Sequence, residues 1–240
     1  MARIPIIPLI VLLSGVLVGS CVSMDYNKSN DSYYMSYDIP RDAVAQEAVV
    51  TVKTAGGEMF LQINDATRAL VINQIDKKLA GCRAFADFVV AQGKDMGSGY
   101  DLRVYVNWIR AIQMGVVGSS SEYAGPNDVT SSVSDRIDIL DSTGMTSLED
   151  GFLTIHYSVR MGGEVEHGFS LVFGGYDDPF EADLVHDANS DSSDSLQEGL
   201  VAFDLRRIPG GEDAQSLKLH YISNSGERLL REFVRNTGTN

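Results

Sequence analysis

The sequence predicts an α+β domain, mainly an antiparallel sheet with about three helices packed on one face. Strand-like stretches outnumber helical ones, and most follow one another through short glycine-rich turns. Three other stretches space their apolar residues at the helical period. The chain has 240 residues, 44% hydrophobic and 22% charged, with 23 Gly, 6 Pro and 2 Cys. That composition excludes collagen, coiled coil and multi-span membrane chains.

The folded part is expected to begin near Gln46. Ala48 to Thr54 is rich in Val and Thr, Met59 to Ile63 is apolar, and Ala55-Gly56-Gly57-Glu58 between them signals a hairpin. A helix is expected over 65–80: Asn64 or Asp65 can cap it, Arg68, Val71, Ile72, Ile75 and Leu79 recur on one face, and Gly81 stops it. Phe85 to Ala91 predicts a short strand, followed by a turn with Gly93, Gly97 and Gly99. Tyr100 to Ile112 predicts a long strand in which Leu102, Val104, Val106 and Trp108 share one face. The only Trp is then a core anchor, with a ligand-stacking platform as the alternative.

Gly115 to about Ser134 is rich in Gly, Ser and Asn and predicts a surface loop. After a short strand over 136–140 comes the strongest hairpin signal. Leu153, Ile155, Tyr157, Val159 and Met161 alternate, Gly162-Gly163 turns, and Val165, Phe169, Leu171 and Phe173 alternate back, with His167 on their phase. An acidic loop, a helix over 195–207, a strand over 217–222 and a helix over 226–235 complete the pattern. The paired glycines at 56/57, 162/163, 174/175 and 210/211 keep no fixed period, which excludes a solenoid.

Ahead of this body, Arg3 precedes an apolar run from Ile4 to Val18 that ends in small residues, the pattern of a secretory signal. The run is shorter than the roughly 20 residues of a spanning helix, and Pro5 and Pro8 weaken one further. Val18-Gly19-Ser20-Cys21 resembles the bacterial lipobox, with Gly19 and Ser20 where Ala and Gly are more usual. The resemblance implies a bacterial lipoprotein: residues 1–20 are removed and Cys21 is acylated, palmitate among its chains, which tethers the protein to the bilayer. Val22 is not the Asp that favours inner-membrane retention, so the implied address is the outer membrane, facing the periplasm. Residues 21–45 then form a flexible tether, with Tyr26, Tyr33, Tyr34 and Tyr37 able to dock it, and 46–240 a single domain. Acylation of Cys21 excludes an internal disulfide, and Cys82, just after Gly81, is expected to be a small buried thiol. The order helix, strand, strand over 65–112 is also similar to modules of periplasmic assembly lipoproteins of the curli-export type.

The formal charge is -14, from 19 Lys and Arg against 33 Asp and Glu, which argues against nucleic acid as a partner. No G-x-S-x-G, H-E-x-x-H, C-x-x-C or phosphate-loop string occurs. His156, His167, His186 and His220 would need to converge with Ser170 or an Asp to build a catalytic site. Between Gly174 and Glu198 lie eight acids and no Lys or Arg, a run that must be solvated or neutralised by a cation. Within it Asp187, Asn189, Asp191, Ser193, Ser195 and Glu198 occupy the ligand positions of a loop that resembles the EF-hand, which implies Ca2+ as ligand and a helix following the Glu. Ser192 stands where that loop has Gly, and Asp194 where it has an aliphatic residue.

These observations favour a membrane-anchored, non-enzymatic envelope lipoprotein with a protein partner, in a binding or assembly-accessory role. The alternatives are a calcium-dependent binding module using 187–198 and, third, an envelope hydrolase.

Overall fold

Gly56 and Gly57 take φ of 60° and 90°, the left-handed pair that a two-residue hairpin turn requires. They join β1 (Gln46–Ala55) to β2 (Glu58–Gln62), paired from Thr51 opposite Gln62 to Ala55 opposite Glu58, as the sequence predicts. The computed structural model containing this hairpin describes residues 43–91, 99–120, 134–140, 144–162 and 165–235. The leader, Cys21, most of the tether, and Gly93, Gly97 and Gly163 of the expected turns lie outside the described residues.

With β3 (Arg68–Val71), β4 (Arg83–Val90) and β5 (Leu102–Ala111), the hairpin closes a barrel in the order β1-β2-β3-β5-β4. β3 runs parallel to β5 and the other pairs are antiparallel. This is the connectivity of an OB-type barrel. Val50, Val52, Leu61, Ala69, Phe88, Val104 and Ile109 fill it.

The helix expected over 65–80 is absent. The Asn64 side chain accepts the N–H groups of Ala66 and Thr67 in a turn, and the chain then runs extended between β2 and β5. A one-turn 3-10 helix, Lys77–Leu79, capped by Asp76, follows. Ala69, Ile75 and Leu79 do face one core, but strand pairing across the barrel supplies backbone bonds that a helix would have had to make locally. The module order on which the resemblance of 65–112 rests is therefore not present.

Trp108 is also placed differently. A bulge shifts the β4–β5 register between Asp87 and Phe88: Asp87 opposes Trp108, while Phe88 opposes Val106. Asn107, the extra residue, bonds Asp87. Alternation restarts one residue late, so Ile109 enters the core while Trp108 lies half-buried outside, edge-on to Phe85 at 5.6 Å and beneath the Arg110 guanidinium.

The rest of the chain is a sandwich of two sheets. One has the order β6-β13-β10-β8, with β9 also on β10, from β6 (Gln113–Met114), β8 (Asp138–Ile139), β9 (Ser147–Glu149), β10 (Phe152–Arg160) and β13 (Leu196–Asp204). The other has the order β15-β14-β12-β11-β7, from β7 (Val116–Ser119), β11 (Gly168–Phe173), β12 (Glu181–Asp187), β14 (Ser216–Ile222) and β15 (Arg228–Val234). Leu153, Ile155, Val159, Val201 and Phe203 of the first sheet meet Leu171, Leu184, Leu217 and Leu219 of the second in one core.

The α+β prediction is thus corrected to a barrel and sandwich of strands, in which no described helix reaches seven residues. β13 and β15 stand where helices were expected over 195–207 and 226–235. β13 is covered on both faces, by the sandwich core at Val201 and Phe203 and by the barrel at Leu200 and Ala202, so its apolar run lacks the alternation of a half-exposed strand. The expected hairpin across Gly162 is not formed either: β10 and β11 belong to opposite sheets, and the chain between them crosses the sandwich edge.

Barrel and sandwich are joined by Val49, Ile112 and Ala202, with Phe85, Met114 and Leu200 around them. Beside this contact Lys53 reaches Asp150 at 2.5 Å, and Arg235 reaches Asp65 at 2.6 Å.

Candidate functional site

Phe169 opposes His186 in the β11–β12 ladder, and both point into the sandwich. His167, one residue before β11, reaches the same place. Its Nδ1 lies 2.8 Å from His186 Nε2, its Nε2 lies 3.3 Å from Asp191 Oδ2, and His186 Nδ1 lies 3.0 Å from the Arg136 carbonyl. Both rings are buried, and His186 stacks on Phe169 at 5.1 Å.

The direction of each bond follows from its far end. A carbonyl only accepts, so His186 donates from Nδ1, and in its neutral form accepts at Nε2. His167 must then donate from Nδ1. Its Nε2 faces the Asp191 carboxylate. Burial, and then the neighbouring His167, push His186 below its ordinary 6.5. Backbone N–H groups from Gly162 and Ser193 hold the Asp191 carboxyl below its usual value, against the cost of burial. The line ties the loop after β12 to the end of β10: Asp191 accepts from Gly162 N at 2.6 Å, and Met161 N donates to the Ser195 carbonyl. It is a clasp at one end of the sandwich.

The residues of the EF-hand-like loop are placed as follows. Asp187 ends β12 and accepts from the Asn189 amide; Asn189, in the left-handed region, donates to the Glu166 carbonyl. Asp191 is in the clasp. Ser193 accepts from Ser195 N, and Ser195 accepts from Gln197. Glu198 lies within β13, 3.3 Å from His156. Among the described residues, no group of three or more His, Cys, Asp or Glu is placed to hold a metal ion.

The four histidines occupy three separate places: His167 with His186, His156 with Glu198, and His220 at 2.6 Å from Glu181. Ser170 alternates with the buried Phe169 and Leu171 and so points to the opposite face of β11 from His186. The convergence that a hydrolase needs is not formed by these residues. A cavity of about 270 Å³ at the barrel mouth, lined by Thr54, Gly57, Met59 and Lys77, contains none of them.

Three acids of the run pair with side chains of later strands. Asp183 takes Arg228, Asp178 takes Lys218, and Glu181 takes His220. Tyr176 lies flat on His220 and donates to Asp183; burial, then that carboxylate, push its hydroxyl up to about 12. The alternation of Ala182, Leu184 and His186 within EADLVHD signals this strand, but the density of acids masks it.

Arg83 is a further buried group, fully enclosed between barrel and sandwich. It donates to Thr154, Thr51 and Ser147 and lies 3.7 Å from Glu149. Cys82 is buried too.

Residues 121–234 match the family described as the NigD-like C-terminal beta sandwich domain. Solved structures share the fold of most of the chain. A candidate toxin-related protein from Parabacteroides distasonis is 21% identical, with a TM-score of 0.64 over 81% of this chain and 95% of its own. A candidate lipoprotein from Bacteroides fragilis is 11% identical, with a TM-score of 0.59 over 82% of this chain and 100% of its own. A NigD-like immunity protein from Bacteroides caccae is 15% identical, with a TM-score of 0.52 over 80% of this chain and 97% of its own. Among curated proteins none matches the chain in sequence. Residues 121–234 are thus similar to a NigD-like beta sandwich, and the solved structures share the fold.

Proposed function

We propose that this chain is a non-enzymatic, lipid-anchored protein of the bacterial envelope whose body binds another protein. The observation that carries the proposal is the match of 121–234 to a NigD-like sandwich, in a fold shared with proteins described as an immunity protein and a candidate lipoprotein. The immunity protein also supplies the first class of partner to test, a proteinaceous toxin. Crosslinking in intact cells followed by purification of the tagged chain is expected to recover one protein reproducibly. Recovery of none would overturn the binding role.

The anchor rests on Val18-Gly19-Ser20-Cys21, with the outer membrane as its address. Labelling with a palmitate analogue is expected to mark the wild type and not Cys21→Ala. Equal labelling of the two chains would refute the anchor.

A further inference from the structure

We propose that β15 is a self-association edge, through which two copies of this chain join their second sheets in antiparallel register about Leu230. β15 is the outer strand of its sheet and pairs with β14 over seven consecutive positions, Ser216 opposite Val234 to Ile222 opposite Arg228, without a bulge. The other outer strands described in the sandwich are short: β7 has four residues, β9 three, and β6 and β8 two each. A long, regular edge without Pro or bulge is the kind that pairs with another strand.

The backbone shows which residues face off that edge. Arg235 N donates to the Gln215 carbonyl, and Ser223 N donates to the Glu227 carbonyl, so odd-numbered positions of β15 direct their backbone groups to β14. In an antiparallel ladder the intervening residues direct theirs the other way. The N–H and C=O groups of Arg228, Leu230, Glu232 and Val234 therefore point off the sheet, and among the described residues no backbone bond beyond the ladder engages them. The same four side chains are exposed, Leu230 at 57% and Val234 at 69%.

This strand is complementary to itself. With Leu230 on a two-fold axis, Leu230 meets Leu230 of the second copy, and Arg228 meets Glu232 twice, once on each side. All three are hydrogen-bonded pairs of the new ladder, and they lie on one face, as pairing of equivalent edges requires. Arg228 already holds Tyr176 and Asp183 through Nη2, which leaves two further guanidinium nitrogens to donate. Glu232 is exposed. A second copy thus supplies what the edge lacks: backbone partners, an apolar contact and opposite charges in register.

The test uses the full chain in intact cells. Directly opposed residues of a hydrogen-bonded pair lie about 5.5 Å apart at Cα, within disulfide reach. Leu230→Cys is expected to give a reducible dimer above the wild-type background, whereas Val234→Cys, equally exposed but far from its own copy in this register, is not. Arg228→Glu in the Leu230→Cys background should lower the dimer yield several-fold, and Arg228→Glu with Glu232→Arg should restore it, although neither remakes the bond to Asp183. Equal crosslinking at 230 and 234, no dimer at either, capture of a different protein at 230, or failure of the charge swap to restore the yield would each overturn the proposal. Because the dimer needs no partner protein, its failure is separate from failure of the binding role.

Discussion

Arg83 is the residue on which barrel and sandwich both depend. It stands at the start of β4, its guanidinium is enclosed by Thr51 of β1, Thr154 of β10 and Ser147 of β9, and Glu149 is the nearest carboxylate. Burial draws its pKa down and pushes that of Glu149 up, each moderated by the other's charge. Removing one member of such a pair leaves the other buried without a counter-charge. Arg83→Ala is expected to lower unfolding stability by about 3–5 kcal/mol in urea titration, and Arg83→Met with Glu149→Gln to recover part of that loss. Asp65 gives a pH signature. Burial raises its pKa, but the hydrogen bond from Arg235, the Asp150 amide and nearby positive charge outweigh burial and bring it below 3.8. A depressed carboxyl stabilises the fold above its unfolded value, and that stability is lost as pH falls through the folded value. The acid limb of a stability-pH curve should therefore flatten in Asp65→Asn and be unchanged at neutral pH relative to its own plateau. Little of this was legible beforehand: an Arg beside apolar residues carries no mark of what will surround it, and its partners are 32 to 71 residues away in sequence.

Elements were legible where one face meets solvent or a turn has its own chemistry. Gly56-Gly57 announced the first hairpin because both positions need positive φ, and the alternation of β10 and β11 named their inward faces. Two of the helices failed for a shared reason: β3 and β13 pair with strands distant in sequence, and their apolar residues face more than one neighbour. β15 pairs with β14 across a short turn, and its consecutive Leu229 and Leu230 hide the alternation of a strand. The same logic separates two glycines. At Gly57, with φ of 90° and open space around it, Ala costs only backbone strain, about 1 kcal/mol. Gly115 links β6 to β7 as the chain passes from one sheet to the other, and a Cβ there would lie 2.1 Å from the Phe203 ring. Gly115→Ala must displace that ring within a filled core, and overpacking of this kind costs about 1–3 kcal/mol. Thermal melts of the two variants should rank Gly115→Ala below Gly57→Ala; the reverse order would show that Phe203 yields freely.

At the scale of the molecule, barrel and sandwich have separate cores and a shared boundary. The barrel core includes Val52, Leu61 and Phe88, and the sandwich core Leu153, Leu171 and Leu217. Between them Val49 packs on Ile112 and Ala202, and the ties of Arg83, Lys53 with Asp150 and Asp65 with Arg235 stand around that contact. A barrel released from this boundary would expose Val49 and the Arg83 pocket, and the sandwich would expose Leu200 and Ala202 and leave Glu149 without its counter-charge. Each half therefore loses both apolar cover and charge pairing if the other unfolds, which is the condition for one cooperative transition. Trp108 lies in the barrel wall against Phe85, so its fluorescence follows the barrel, while amide exchange at Leu217 and Leu219 follows the sandwich. The two probes should give one urea midpoint, and Val49→Ala, which thins the boundary without adding charge, should lower both midpoints together. A shift confined to Trp108 would mean that the barrel unfolds by itself and that the boundary is contact without coupling.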